Sequence, residues 1–235
     1  MCRSCDISRR RVLSFVAMGA VAAGLLGTGA PLSLAADATT MTADEALAKL
    51  KAGNQKFLTA PELCAVDMAK QRADVANGQS PWATILTCSD SRVSPELIFG
   101  GVGLGELFVV RNAGNVADTA AMGTIEYGAE HLGSPLVVVL GHQRCGAVEA
   151  ACEVVAKRTK LSGFIAPMVD AIVPAAKAVY GKPGDFVDNA VRENARLGAR
   201  KISTRSEIVG RLEHEGKVKV VYARYDLDQG VVAFL

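Results

Sequence analysis

Aromatic residues are scarce in this 235-residue chain, at 5% with a single Trp, and apart from Arg9-Arg10-Arg11 no stretch gathers charges of one sign. Without basic clusters interleaved with aromatics there is no footprint for nucleic acid, and without an acidic run there is no solvating tail. Charge imbalance is small as well. The formal charge is +2, and residues 36–235 hold 22 basic against 23 acidic side chains once Arg3, Arg9, Arg10, Arg11 and Asp6 are set aside. Residues 36–235 also contain no Cys-x-x-Cys pair, which argues against a redox dithiol protein. Low-complexity linkers and internal repeats are absent, so nothing divides the chain into modules. What is abundant is apolar: 50% hydrophobic residues exclude a disordered polymer and suffice for a sizeable core.

The amino-terminal segment reads as a processing signal. Arg9-Arg10-Arg11 precedes an uncharged run from Phe15 to Leu34, and Ser33 and Ala35 place small residues at −3 and −1 of a cut before Ala36. The paired arginines resemble a twin-arginine signal, which implies export of a folded protein to the periplasm or cell envelope. An uncleaved anchor would need about 20 apolar residues; the glycines, the proline and the small-residue boundary favour cleavage, leaving no stable membrane anchor. Cys2 and Cys5 leave with residues 1–35. Cys64 and Cys152 then read as buried residues of helices, although an oxidising compartment would allow them to pair.

Residues 36–235 are expected to form a single α/β domain. Continuous apolar runs at 82–87, 107–110, 135–141, 217–223 and 231–235 predict strands, and helical patterns fill the intervals: 42–57, 118–132, 147–157, 164–179, 187–202 and 207–215. Strands without alternation, separated by helices, indicate a mainly parallel sheet flanked by helices, with an N-terminal helical arm in front. Sites in such sheets lie at the carboxyl ends of strands. Cys88 ends the first predicted strand, and His142 with Cys145 ends the third. Two thiolates and an imidazole suit tetrahedral zinc, and three protein ligands leave a fourth position for water or for the Asp90 carboxylate. The glycine-rich stretch 100–105 lacks the Lys-Ser/Thr pair of a phosphate cradle and reads as a loop. His131 and His214 read as surface groups.

The segments Cys88-Ser89-Asp90-Ser91-Arg92, Arg111-Asn112-Ala113-Gly114-Asn115 and Gly141-His142-Gln143-Arg144-Cys145-Gly146, with the ending Tyr225-Asp226-Leu227, resemble the motifs of β-class carbonic anhydrases over about residues 42–235. The resemblance implies one Zn²⁺ per chain on Cys88, His142 and Cys145, reversible hydration of carbon dioxide to bicarbonate by hydroxide generated at the metal, and a homodimer or multiple of dimers embraced through the N-terminal helices, on which Leu47, Leu50 and Phe57 would meet the partner. It assigns Asp90 as acceptor of the hydroxide proton and Arg92 as the group that holds Asp90 off the metal. Gln79, nine residues before Cys88, matches an amide that binds a substrate oxygen; Phe108 and Tyr127 match pocket walls, with core packing as the alternative; the Gly146 amide would support the product oxyanion. Position 85 is Ile where a bicarbonate-regulated subgroup has Trp, so the chain is more similar to the plant-like, unregulated subgroup. Hydrolysis of carbon disulfide or carbonyl sulfide on the same zinc, or a non-enzymatic zinc domain, are the competing expectations.

Overall fold

A computed structural model describes residues 38–60 and 68–235, all of which fall in one compact unit. The expected signal peptide and Cys64 lie outside the described residues. Nine helices and five strands are seen among the described residues, in the order α1 (Ala43–Thr59), α2 (Met68–Asp74), β1 (Ala83–Cys88), α3 (Pro95–Ile98), β2 (Leu107–Asn112), α4 (Thr119–Glu130), β3 (Leu136–His142), α5 (Gly146–Lys157), α6 (Ile165–Asp170), α7 (Val173–Val179), α8 (Phe186–Arg205), α9 (Glu207–His214), β4 (Lys219–Tyr225) and β5 (Val232–Phe234). No helix among them is long and apolar enough to cross a membrane.

The sheet order is β2-β1-β3-β4-β5. Its first four strands are parallel and β5 runs antiparallel to β4, so the mainly parallel α/β reading holds. β1 and β3 are buried at every position, because helices cover both faces of the sheet centre and leave no polar side to alternate with. On one face, Ala46 and Leu50 of α1 join Ile85, Val138 and Leu140. On the other, Ile125 of α4, Ala195 and Ile202 of α8 and Val209 of α9 pack on Leu86, Val137 and Val139. Side-chain caps start the helices where the sequence signals them. Thr42 and Glu45 close a capping box on α1, and Asp118, Asp185 and Ser206 cap α4, α8 and α9.

Three features differ from the sequence reading. The helix expected over 164–179 is two helices, α6 and α7, because Pro174 at the start of α7 has no N–H to donate and its ring would meet the carbonyl of Asp170. α2 and α3 were not foreseen; both are short, and α3 depends on Pro95 at its first turn. The three residues of the N-terminal helix expected to meet a partner pack within the chain: Leu50 is fully buried, and Leu47 and Phe57 lie on the chain's own core. That helix's apolar stripe covers its own sheet. The glycine-rich stretch serves that packing, since a Cβ on Gly100, at φ +84°, would come within 2.6 Å of the Gly53 carbonyl oxygen in α1. Cys152 is buried in α5 as expected, and burial pushes its thiol up to about 11.

Candidate metal centre

Strand register brings the predicted ligands together. β1 pairs with β3, so both end on the same edge of the sheet, and Cys88 is the last residue of one and His142 the last of the other. Cys145 follows as the N-cap of α5. The three donor atoms lie within 4.8 Å of one another, and all three residues are buried.

The site passes two tests of fit for zinc. The Cys88 and Cys145 Sγ atoms are 3.9 Å apart, and two sulfurs about 2.3 Å from a tetrahedral zinc would be about 3.8 Å apart. His142 Nδ1 is 2.9 Å from the Gln143 carbonyl oxygen, to which it donates, leaving Nε2 with its lone pair free; that nitrogen is buried and has no hydrogen-bond partner. An orphaned buried nitrogen costs about 1–3 kcal/mol. A cation beside it removes the cost. The thiols agree with this: a hydrogen bond from Cys145, with help from His142 and the Gly114 amide, holds Cys88 well below the ordinary thiol range against the effect of burial. Its neighbour Cys88, together with burial, pushes Cys145 upward. Two adjacent thiols cannot both ionise without a cation between them.

Asp90 sits in the loop after β1, with Oδ2 3.8 Å from His142 Nε2. Arg92 holds both of its oxygens, through Nε to Oδ1 at 2.9 Å and Nη2 to Oδ2 at 2.7 Å, and the Arg92 amide adds a third bond at 2.9 Å. These hydrogen bonds hold the Asp90 carboxyl far below the usual carboxylate range. Arg111, at the end of β2, was quoted in the sequence only as part of a motif; it braces this loop by donating to the carbonyls of Cys88 (3.1 Å) and Asp90 (2.8 Å). Gly114 donates its amide to Cys88 Sγ at 3.3 Å. Only glycine serves there: at φ +77° an added Cβ would lie 2.5 Å from Ile172 Cδ1.

Gly146 is the first residue of α5, beside Cys145, and its amide is one of the helix-start donors without an intrahelical partner. Space around its Cα is open. The remaining three candidates lie elsewhere in the chain. Phe108 pairs in register with Thr84, four residues before the Cys88–Asn112 pair, which is about 13 Å along the strand. Tyr127 stacks near Phe108 with ring centroids 6.1 Å apart and is 44% exposed. Gln79 is exposed, its Cα beside Gly105 ahead of β2. Phe108 packs toward α4, where a Cβ on Gly128 would lie 2.9 Å from its Cδ1, so Phe108 and Tyr127 sit between β2 and α4. His131, stacked on Tyr127 at 5.2 Å, is exposed as expected, and so is His214.

A sequence model of the carbonic anhydrase family matches residues 83–232. "Carbonic anhydrase 2" of Mycobacterium tuberculosis (strain ATCC 25618 / H37Rv) is 38% identical over 186 residues, covering 77% of this chain and 87% of its own. Among solved structures, a Coccomyxa β-carbonic anhydrase in complex with acetazolamide superposes with a TM-score of 0.64 at 29% identity, over 80% of this chain and 86% of that one. One of two tetrameric β-carbonic anhydrases from Sordaria macrospora shares the fold at TM-score 0.62 and 22% identity, over 82% and 95% of the two chains. A parallel sheet carrying a Cys-His-Cys site with an Asp-Arg pair beside it defines a zinc hydratase. The chain belongs to the β-class carbonic anhydrases.

Proposed function

We infer that this chain catalyses the reversible hydration of carbon dioxide to bicarbonate on one zinc ion held by Cys88, His142 and Cys145. The observation that carries the reading is the buried, unpartnered His142 Nε2 facing two thiols at tetrahedral spacing, with the neighbouring carboxylate of Asp90 tied to Arg92. Zinc, when bound there, supplies the Lewis acidity that brings water ionisation near neutral pH. The chain's residues do the rest. Asp90, ionised at any working pH, would accept a hydrogen bond from the O–H of the attacking oxygen and so turn its lone pair toward the carbon. Arg92 keeps both Asp90 oxygens occupied and so keeps the carboxylate from acting as a fourth ligand. The Gly146 amide, at the positive end of α5, steadies the negative charge that develops on the product. In a stopped-flow assay the purified protein should hydrate carbon dioxide, lose that activity to a zinc chelator and regain it with added zinc. Absence of activity in protein holding one zinc per chain would refute the reading.

The finer assignments are part of the same proposal. Gln79, Phe108 and Tyr127 act in a homodimer, or a multiple of one, in which the open edge of β2 meets a second copy and delivers these residues to its neighbour's site. The exposure of Gln79 and Tyr127, and the place of Phe108 four register positions from the Cys88–Asn112 pair, support this. Ile85, fully buried in β1, leaves no Trp for a bicarbonate-regulated pocket, which favours the plant-like, unregulated subgroup. The paired arginines and the Ala35 boundary support cleavage of residues 1–35 and a periplasmic or cell-envelope location for the single domain 36–235. The exported protein should begin at Ala36 and scatter light as a dimer or a multiple of it; a monomer, or a chain that keeps Met1, would defeat the corresponding part.

A further inference from the structure

Only two residues, Gln143 and Arg144, separate the ligands His142 and Cys145, and both are tied to the turn between β4 and β5. The Gln143 amide donates to the Tyr225 carbonyl at 2.9 Å, and Gln143 Oε1 accepts from the Leu227 amide at 3.1 Å. Arg144 adopts φ +52°, a left-handed conformation that residues other than glycine rarely take. Its guanidinium reaches 84 residues along the chain to grip Asp228 at both oxygens, at 2.8 and 2.7 Å. The turn is itself firm. Asp226 Oδ1 accepts from the amides of Asp228 and Gln229, and Asp226 Oδ2 accepts from Arg224, whose Nε is held by Asp188. On its other side, the Arg144 carbonyl lies 3.5 Å from Arg92 Nη2, the same nitrogen that holds Asp90. Arg144 therefore links a rigid turn, the metal-binding loop and the Asp90–Arg92 pair.

We propose that Asp228, acting through Arg144, is a positioning residue that latches the His142–Cys145 loop in its metal-binding conformation and so slows zinc release. The inference rests on the zinc reading of Cys88, His142 and Cys145. A loop held in an uncommon backbone conformation relaxes when its restraint is cut, and here relaxation would move Cys145 Sγ away from the position set by Cys88 and His142.

The test follows zinc release from the holoenzyme into excess 4-(2-pyridylazo)resorcinol for the parent, Asp228→Asn, Arg144→Ala, the double variant, and the charge-swapped pair Arg144→Asp with Asp228→Arg. Each single change should speed release about fivefold, the double should be no faster than either single, and the swapped pair should recover most of the parent's slow release. Because the pair is exposed, with 52% and 62% of the two side chains accessible, high salt should speed release from the parent and leave the variants unchanged. A pair that served only general stability would shift the unfolding of zinc-free protein and leave release alone. Release within about twofold of the parent in both singles, or single effects that multiply in the double, would overturn the latch. A parent without stoichiometric zinc would overturn the zinc reading itself, and the latch with it. A zinc-loaded parent with unaffected variants overturns the latch only.

Discussion

Replacing Cys145 with serine is expected to empty the site. Cys145 is 1% exposed, and it supplies one of only three protein donors. A serine hydroxyl does not ionise near neutral pH and is a poorer donor for zinc than a thiolate. Changes in groups that merely orient metal ligands cost about 10–100-fold in affinity, and loss of a ligand should exceed that range. Cys88→Ser and His142→Ala should behave alike, with hydration activity falling at least as far as the zinc content. A second signature separates ligand loss from misfolding. In the parent, zinc should raise the melting temperature, because it binds the folded state and relieves the orphaned His142 Nε2. In the Cys145→Ser protein that rise should vanish while the zinc-free melting temperature stays near the parent's. Metal analysis and calorimetry check this, and one zinc per chain with full activity in Cys145→Ser would remove it from the ligand set.

The parts of this architecture that were readable in the sequence are those whose physics is local. β1 and β3 show as unbroken apolar runs because both of their faces are covered, and their carboxyl ends announce the site because metal-ligating side chains stand where parallel sheets carry their sites. Caps such as Thr42 with Glu45 mark helix starts within four residues. The apolar spacing of 164–179 runs straight through Pro174, and the helix breaks just ahead of it, where proline requires. What could not be read was pairing over distance. Nothing in the neighbourhood of Arg144 points to Asp228, and the bracing of Cys88 and Asp90 by Arg111 appears only when β2 is laid beside β1. Apolar spacing showed that α1 buries a face without showing that it buries it on its own sheet. Likewise the fixed spacing of Gln79 from Cys88 concealed that a strand carries the two apart.

Arg92→Ala should leave zinc in place and abolish hydration near pH 7. Asp90 Oδ2 already stands 3.8 Å from the His142 nitrogen that would bind the metal, and the Arg92 guanidinium holds that oxygen on the other side, while the Arg92 amide, which the substitution keeps, bonds only Oδ1. Freed of that grip, the carboxylate becomes the fourth ligand. The sign of the pKa change matters for the interpretation. Arg92 lowers the Asp90 pKa, so its removal raises that pKa toward the ordinary carboxylate value of 3.8. That is still far below neutrality, and the loss at pH 7 cannot come from protonating Asp90. It must come from where the ionised group sits. The fall should reach or exceed about 10–100-fold, because the position needed by the reactant is itself taken. Alkaline solution should restore part of the rate, since hydroxide then displaces the carboxylate. Asp90→Asn separates the two roles of the residue: an amide is a weak ligand and leaves the position open, yet its neutral oxygen is a poorer hydrogen-bond acceptor for the attacking O–H than the carboxylate, so the rate should fall without alkaline recovery. In the parent, activity should show no acid limb from Asp90 above the ordinary carboxylate range, because the group stays ionised there. Profiles of kcat/KM against pH for both variants, each with its zinc content measured, distinguish these outcomes. Parent-like rates in zinc-loaded Arg92→Ala at pH 7 would mean that the Asp90–Arg92 pair only shapes the loop after β1, and that something else keeps the fourth position clear.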